Sequence, residues 1–480
     1  MKNIILPLIT ITFLLSACVG KNYKKPETDL PELQTEQTLE NKDEQINKDI
    51  SSFETDQWWH IFQDIVLDKF EEEALKYNYD LKSAMARVEQ AKANLSVARS
   101  NYYPTINLYG QVADSKFNRR LHDYSIDSGR FSVGVSASYE LDLWGKYWRS
   151  GESAKATFLA TQADKDAVRL TLTATVAQAY FQYMSLDSQL EIVQNTLKSR
   201  EESYDVYSKR FNKGVISEFD LRRVEAEMES VRAQVYSTEQ LLKQTETALS
   251  ILIGRSPKSM VNDTLDKGNK IKDVLVIPQV PTAVPSDLIS RRPDIKSAEY
   301  TLKSYNAEIG AAKAYLFPSI SLTGKAGFAS YELEDLFKED NDTWSYSGDI
   351  LWPIFSGGKN MKTYKAKKAE YEQALSSYQK TIQSAFKEVL DAINTYSLGE
   401  KIVSARQQQS LALQKSYKLA VKREKAGLTD LLDVLDVERT LLQAETDLVK
   451  AQNEQLCAII DICKALGGGW TEKNGFDTDK

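Results

Sequence analysis

The sequence predicts a mainly α-helical chain with a transmembrane β part, built as a tandem duplication. Each copy carries two membrane-length strands and two long helices. Three observations predict it. Apolar side chains occupy every odd position of residues 131–143, with Ser, Gly, Glu or Asp between them. A period of two held that long is a strand with one apolar and one wet face, long enough for the ~9–11 residues of a tilted bilayer-crossing strand. Residues 152–213 then contain no Gly or Pro, which as helix would run about 93 Å at ~1.5 Å per residue. Finally, residues 80–110 match residues 294–324 at ten of thirty-one positions without a gap, an offset of 214.

From the second strand onward the offset becomes 213. It sets Gly145-Lys146 on Gly358-Lys359, Gly214 on Gly427, Asp220 on Asp433, Glu225 on Glu438 and Gly254 on Gly467. One offset surviving more than a hundred residues of divergent helix marks a duplication.

Taken in order, the chain opens with Lys2, a twelve-residue apolar stretch over 4–15, and Leu15-Ser16-Ala17-Cys18. This reads as a signal peptide over 1–17. Small residues before a Cys at the end of an apolar h-region resemble a bacterial lipobox, which makes Cys18 the lipidated first residue of the mature chain. Val19 rather than Asp fits sorting to the outer membrane. Removing 1–17 takes away one Lys and no acid, so the formal net charge moves from −7 to −8. Nothing in that balance calls for nucleic acid. Residues 18–56 are polar and read as a tether with little core of its own.

Repeat 1 spans 57–254. Trp58-Trp59-His60-Ile61-Phe62 opens an apolar-periodic helix that runs to Tyr103, where Pro104 stops it. Strands follow at about 104–114 and 131–143, joined by a polar loop with Arg119, Arg120 and Asp123. Then come the long helix, a turn over 211–220 and a return helix over 215–253. Residues 255–293 are a linker with five prolines and a short apolar segment over 274–277. Repeat 2 spans 294–467, with strands at about 318–328 and 344–355, a long helix from about 359 to 426, a turn over 424–433 and a return helix over 428–466. The tail is 468–480.

No run of 18 apolar residues occurs, so no transmembrane helix is predicted, which leaves a β-barrel untouched. Four strands cannot close a barrel, for which about eight is the practical minimum, and an open sheet in lipid leaves its edges unpaired. Oligomerisation follows; two chains would give eight strands and three would give twelve.

No catalytic constellation appears. The two histidines, His60 and His122, lie apart and read as structural or solvated. No Cys/His cluster has zinc spacing, and Gly467-Gly468-Gly469 is a helix stop rather than a phosphate loop. The six Met are scattered, and no cofactor is predicted. Cys457 and Cys463 share one helix at i and i+6, about 240° apart, so they do not bridge within it and read as small hydrophobes. At the two turns, Gly214 and Gly427 supply the left-handed residue, and Ser217 or Thr429 caps the returning helix.

Four motifs stand out, the last two highly specific: Trp58-Trp59-x-x-Phe62-x-Asp64; Asn78-x-Asp80-Leu81-x-x-Ala84-x-x-Arg87-Val88; Tyr139-Glu140-Leu141-Asp142-Leu143-Trp144-Gly145-Lys146; and Pro285-Ser286-Asp287-Leu288-x-x-Arg291-Arg292-Pro293-Asp294-Ile295. In these the chain resembles the lipoprotein branch of the TolC-like outer-membrane efflux proteins, the outer-membrane factors of tripartite RND efflux systems. The likeness covers nearly everything after Cys18.

The resemblance implies a homotrimer with a twelve-stranded barrel in the outer-membrane lipid above a periplasmic α-helical barrel. It also implies a periplasmic adaptor and an inner-membrane RND-type transporter as partners. By it, the turns around Gly214, Ser217, Gly427 and Thr429 become adaptor-docking tips. Asp433 and Asp436, with Asp220 at the matching place in the first copy, become a periplasmic gate. Rings of such carboxylates favour cations and repel one another, which raises their pKa values. The alternative for these aspartates is a solvated face paired with Lys or Arg at helical spacing. Some family members latch the mouth with a Tyr three before the turn Gly and an Arg two after it; here Glu424 and Thr429 stand there. The expected function is a passive exit duct of an efflux pump. Its rivals are the duct of a type I protein secretion system and a non-conducting coiled-coil envelope lipoprotein.

Overall fold

The computed structural model describes residues 20–26, 33–34, 57–116, 127–262, 264–268, 270–271, 283–284 and 291–468. Cys18, the signal peptide, most of the tether, the loop with Arg119, Arg120, His122 and Asp123, the apolar segment 274–277 and the 285–290 part of the fourth motif lie outside them. The chain divides into two compact units. One comprises Met1–Glu27, Arg87–Gln162 and Ser297–Gln379; the other comprises Thr28–Ala86, Ala163–Lys296 and Lys380–Lys480.

The principal elements are α1 (Ile65–Tyr77), α2 (Tyr79–Ser100), β1 (Thr105–Lys116), β2 (Asp127–Leu141), α3 (Lys146–Asn212), α4 (Glu218–Leu252), α5 (Pro293–Ala314), β3 (Ser319–Ser330), β4 (Asp342–Leu351), α6 (Lys359–Lys425) and α7 (Leu431–Ala465). The helix–strand–strand–helix–helix order occurs twice. The long helices α3 and α6 are 67 residues each and the return helices 35 each, so a long helix extends about 100 Å at ~1.5 Å per residue.

In the first unit, the strands form one antiparallel sheet in the order β1-β2-β3-β4. Val133 pairs with Gly110 on one side and Phe328 on the other, and Ile320 pairs with Ile350. Apolar side chains therefore fall on one face. On the outer strands they stand in the open: Leu108 is 80% exposed and Tyr346 82%. A sheet of a water-soluble domain would bury that face; here it is left for a non-aqueous surrounding. β2 and β4 stop earlier than the alternation predicts, at Leu141 and Leu351, whereas β1 and β3 run on to Lys116 and Ser330. Leu143 N–H already turns back to the Leu141 carbonyl (3.0 Å). β4 ends before Pro353, which has no N–H for a ladder.

In the second unit, the core gathers Trp58, Trp59, Phe62, Leu67 and Phe70 against Tyr180, Phe181, Ile459, Ile460 and Cys463. The Tyr180 hydroxyl donates to Asp64 (2.6 Å), and Asp64 also caps α1 through Val66 N (2.9 Å) and Leu67 N (3.2 Å). The first motif is thus a packing and capping device. The single helix expected from Trp58 to Tyr103 is instead a 3₁₀ turn over Trp58–Phe62 followed by two helices. Asn78 breaks it: its side-chain oxygen accepts from Asp80 N (2.8 Å) and Leu81 N (3.0 Å), and its amide donates to the Leu252 carbonyl (2.9 Å). Asn competes locally with the helix ladder, and here it caps two helices at once.

Candidate functional site

The candidate site is the pair of turns joining each long helix to its return helix. Both are left-handed glycine turns: Gly214 and Gly427 each have φ 71°. In the first, Gly214 N donates to Phe211 O (2.8 Å) and Val215 N to Arg210 O (3.0 Å). The second repeats this, with Gly427 N on Glu424 O (2.9 Å) and Leu428 N on Arg423 O (2.9 Å). These paired bonds satisfy carbonyls that a helix end leaves open.

Ser217 caps α4 in a reciprocal box. Its hydroxyl oxygen accepts from Asp220 N (3.2 Å), and the Asp220 carboxylate accepts from Ser217 N (3.3 Å) and Oγ (2.7 Å). Asp220 is therefore held as a helix-start residue. In the second copy the cap falls on Asp430, which accepts from Leu431 N (2.6 Å). The cap is therefore not Thr429: the constant offset of 213 carries Ser217 onto residue 430, whose extended backbone (φ −79°, ψ 156°) suits an N-cap. The Thr429 hydroxyl instead bonds to Asp433. Asp436 pairs with Arg439 (2.5 Å), both being largely exposed, so within one protomer it sits on a solvated, paired face.

Tyr207, Leu221, Val224, Leu431, Val434 and Leu435 form an apolar cluster beneath the turns. Above it, Glu424 reaches α3: its Oε1 lies 3.5 Å from Arg210 Nη1 and accepts from Tyr207 OH (3.5 Å). The Arg210 guanidinium stands 5.0 Å over the Tyr207 ring. Burial first, then the Glu424 carboxylate, pushes the Tyr207 phenol above its usual range, which keeps it a donor.

Beyond the apolar cluster, further from the turns, Arg200 and Glu438 form a buried ion pair, Nε to Oε2 2.8 Å. Arg200 also donates to the Leu435 carbonyl (3.0 Å), while Ser199 (2.8 Å) and Tyr417 (3.0 Å) donate to the other Glu438 oxygen. Sequence spacing did not single out this pair. The partners are far apart in the chain, and neither periodicity nor a motif marks them; a charged residue on the apolar stripe of a helix was the one available signal.

The other motifs brace the frame. Glu140 accepts from Lys146 (2.5 Å) and Tyr147 (2.8 Å), and Trp144 donates to the Pro318 carbonyl (2.7 Å) and stacks on Phe317. Arg292 grips Asp294 (2.8 Å) and Glu388 (2.7 Å) and donates to the Ala465 carbonyl at the end of α7 (3.3 Å). His60 lies between Asp68 (2.7 Å) and Gln57 (2.8 Å) on the surface. Among the described residues, no three His, Cys, Asp or Glu stand together as a set of metal ligands.

Comparison with known proteins agrees with this architecture. The family described as "Outer membrane efflux protein" matches twice, over residues 71–255 and 284–468. The chain is 32% identical over 423 residues to the probable efflux pump outer membrane protein TtgC of Pseudomonas putida, covering 87% of this chain and 86% of the relative. It is 30% identical over 466 residues to the probable outer membrane lipoprotein SilC of Salmonella typhimurium, covering 97% and 98%. Among solved structures, the CmeC outer membrane channel of Campylobacter jejuni superposes with a TM-score of 0.88 at 26% identity over 96% of both chains. With both halves matched and most of its length shared with such relatives, the chain belongs to the outer membrane efflux protein family, the outer-membrane channels of efflux pumps.

Proposed function

We propose that this protein is the passive exit duct of a tripartite efflux pump, working as a homotrimer with a periplasmic adaptor and an RND-type inner-membrane transporter. The observation that carries the proposal is the four-stranded sheet. One face is apolar and exposed, both edges are unpaired among the described residues, and each strand pair leads into a 67-residue helix. Unpaired strand edges are not tolerated in lipid. Joining the β4 edge of one protomer to the β1 edge of the next in a ring of three gives twelve strands, and the long helices continue the wall. Such a duct does no chemistry and holds no cofactor.

In this reading Cys18 carries the acyl anchor, after removal of residues 1–17, and 18–56 is the tether. Residues 57–254 and 294–467 are the two repeats, joined by the 255–293 linker. The turns at Gly214–Ser217 and Gly427–Thr429 dock the adaptor. Asp433 and Asp436, with Asp220 bracing the neighbouring turn, form the acidic mouth. Both lie within two helical turns of the N-cap Asp430, where three copies would converge.

Single-channel conductance in a planar bilayer tests the proposal, comparing wild type with Asp433→Ala/Asp436→Ala. A nearly closed wild type and a freely conducting variant support both duct and gate. Equal conduction by both would move the gate elsewhere, and failure to insert would overturn the channel.

A further inference from the structure

The stretch that follows Cys18 and Val19 is laid down on the first unit in a site built to receive it. Gly20 crosses Gly310 of α5 so closely that a Cβ on Gly20 would stand 3.1 Å from Gly310 Cα, and Gly20 itself has φ +149°. A Cβ on Gly310 would meet Arg149 Cγ at 3.0 Å. Arg149 of α3 is 4% exposed and closes the crossing: its Nη2 donates to the Gly20 carbonyl (3.2 Å) and Asn22 Oδ1 (3.1 Å), and its Nη1 to Glu152 (2.6 Å). Further along, Asn306 donates to the Lys21 carbonyl (3.1 Å), Lys25 pairs with Glu299 (3.3 Å), and Lys303 stands 5.3 Å from the Tyr23 ring. Burial pushes the Tyr23 phenol upward, with Glu299 and the Tyr378 and Tyr371 phenols of α6 adding to it.

The three helices under this strap come from different repeats, α3 from the first and α5 and α6 from the second. They meet through Ser153–Ser304 (2.8 Å), Thr157–Ser304 (2.9 Å) and Lys367–Glu308 (2.8 Å). The duplication supplies an internal control. At the offset of 214 the counterpart of Gly310 is Ser96, and at 213 the counterpart of Arg149 is Lys362. Ser brings a Cβ of the kind that at Gly310 would press on the Arg149 side chain at 3.0 Å, so the two repeats differ at the position where the strap crosses.

We infer that residues 20–26 are a staple that fixes the membrane anchor to the channel wall across the seam between the two repeats, with Gly20 and Gly310 the positions that admit it. The inference rests on the reading of Cys18 as the acylated residue, which lies two residues and at most about 7 Å of extended chain upstream of Gly20. The acyl chains then load α3 and α5 directly, rather than hanging on a free tether.

Limited trypsin digestion of the purified full-length mature protein, with mass spectrometry of the 18–21 fragment, reads both parts. Docking holds the Gly20 and Lys21 carbonyls at the exposed Lys21–Asn22 bond and keeps the chain out of a protease cleft, so wild type should release the fragment about tenfold more slowly than Gly310→Leu or Arg149→Ala, as cleavage follows the undocked population. Asn306→Ala, which removes one hydrogen bond at the rim, should fall between, with its circular dichroism unchanged. Release from wild type as fast as from all three variants overturns the staple. The mass of the fragment after denaturation separately reports acylation. A protected but unmodified fragment overturns the anchor reading while leaving the docked strap.

Discussion

Glu424 and Arg210, 214 residues apart in the chain, meet at the tip across the two long helices, Oε1 to Nη1 3.5 Å. Tyr207 shares the same carboxylate oxygen (3.5 Å) and lies 3.3 Å from Arg210 Nη1. Glu424 stands where a Tyr serves as a latch in some TolC-like channels, and it ties the second hairpin to the first within one protomer. The pair is half-exposed, so it contributes only about 0–1 kcal/mol to folding; its effect is on the position of the hairpin. Glu424→Gln should leave the melting temperature within a degree or two and raise single-channel conductance severalfold. Unchanged conductance would mean the tip is held by other contacts.

The buried pair between Arg200 and Glu438 behaves differently. Removing one partner strands a charge with almost no access to water, so Glu438→Ala should destabilise by about 3–5 kcal/mol. Arg200→Met/Glu438→Leu removes both charges and should recover most of that loss. Denaturant melts followed by circular dichroism give the comparison, and a double variant as weak as the single would contradict it.

Gly427 and Gly254 separate strain from sterics. At Gly427 no described atom lies within 4 Å of an added Cβ, whereas at Gly254 the Cβ would stand 2.6 Å from the Tyr77 carbonyl carbon. Both have positive φ, 71° and 76°. Gly427→Ala should therefore cost about 1–2 kcal/mol from the left-handed backbone, and Gly254→Ala measurably more. Equal melting shifts would show that the Tyr77 backbone can move aside.

The thiols should be inert. Cys463 is fully buried and Cys457 partly so, and both are free. Burial first, then Asp461 and Glu454, pushes the Cys457 thiol up to about 12, and burial pushes Cys463 up as well. The thiolate is the nucleophile, so at pH 8 both stay neutral. Maleimide should label neither in the native protein and both in denaturant.

The sequence by itself determined whatever depends on spacing along the chain. Period-two alternation set the faces of β1 to β4, and the offset of 213 carried each tip turn onto its copy with the same φ. The Gly- and Pro-free run set where α3 ends but not where it starts, because α3 begins at Lys146 and passes through Gly151, as α6 passes through Gly399. Those features are local: side-chain direction alternates with every strand residue, and a helix ends where glycine turns it. The tertiary structure decided what depends on which faces meet. The break at Asn78 needed the Leu252 carbonyl brought to it. The move of the cap from Thr429 to Asp430 needed the backbone angles of the turn itself. The meeting of Arg200 with Glu438 and the seat of Gly20 on Gly310 join segments hundreds of residues apart. No periodicity encodes such pairs, because a helical pattern fixes which side is apolar and leaves open which helix will cover it.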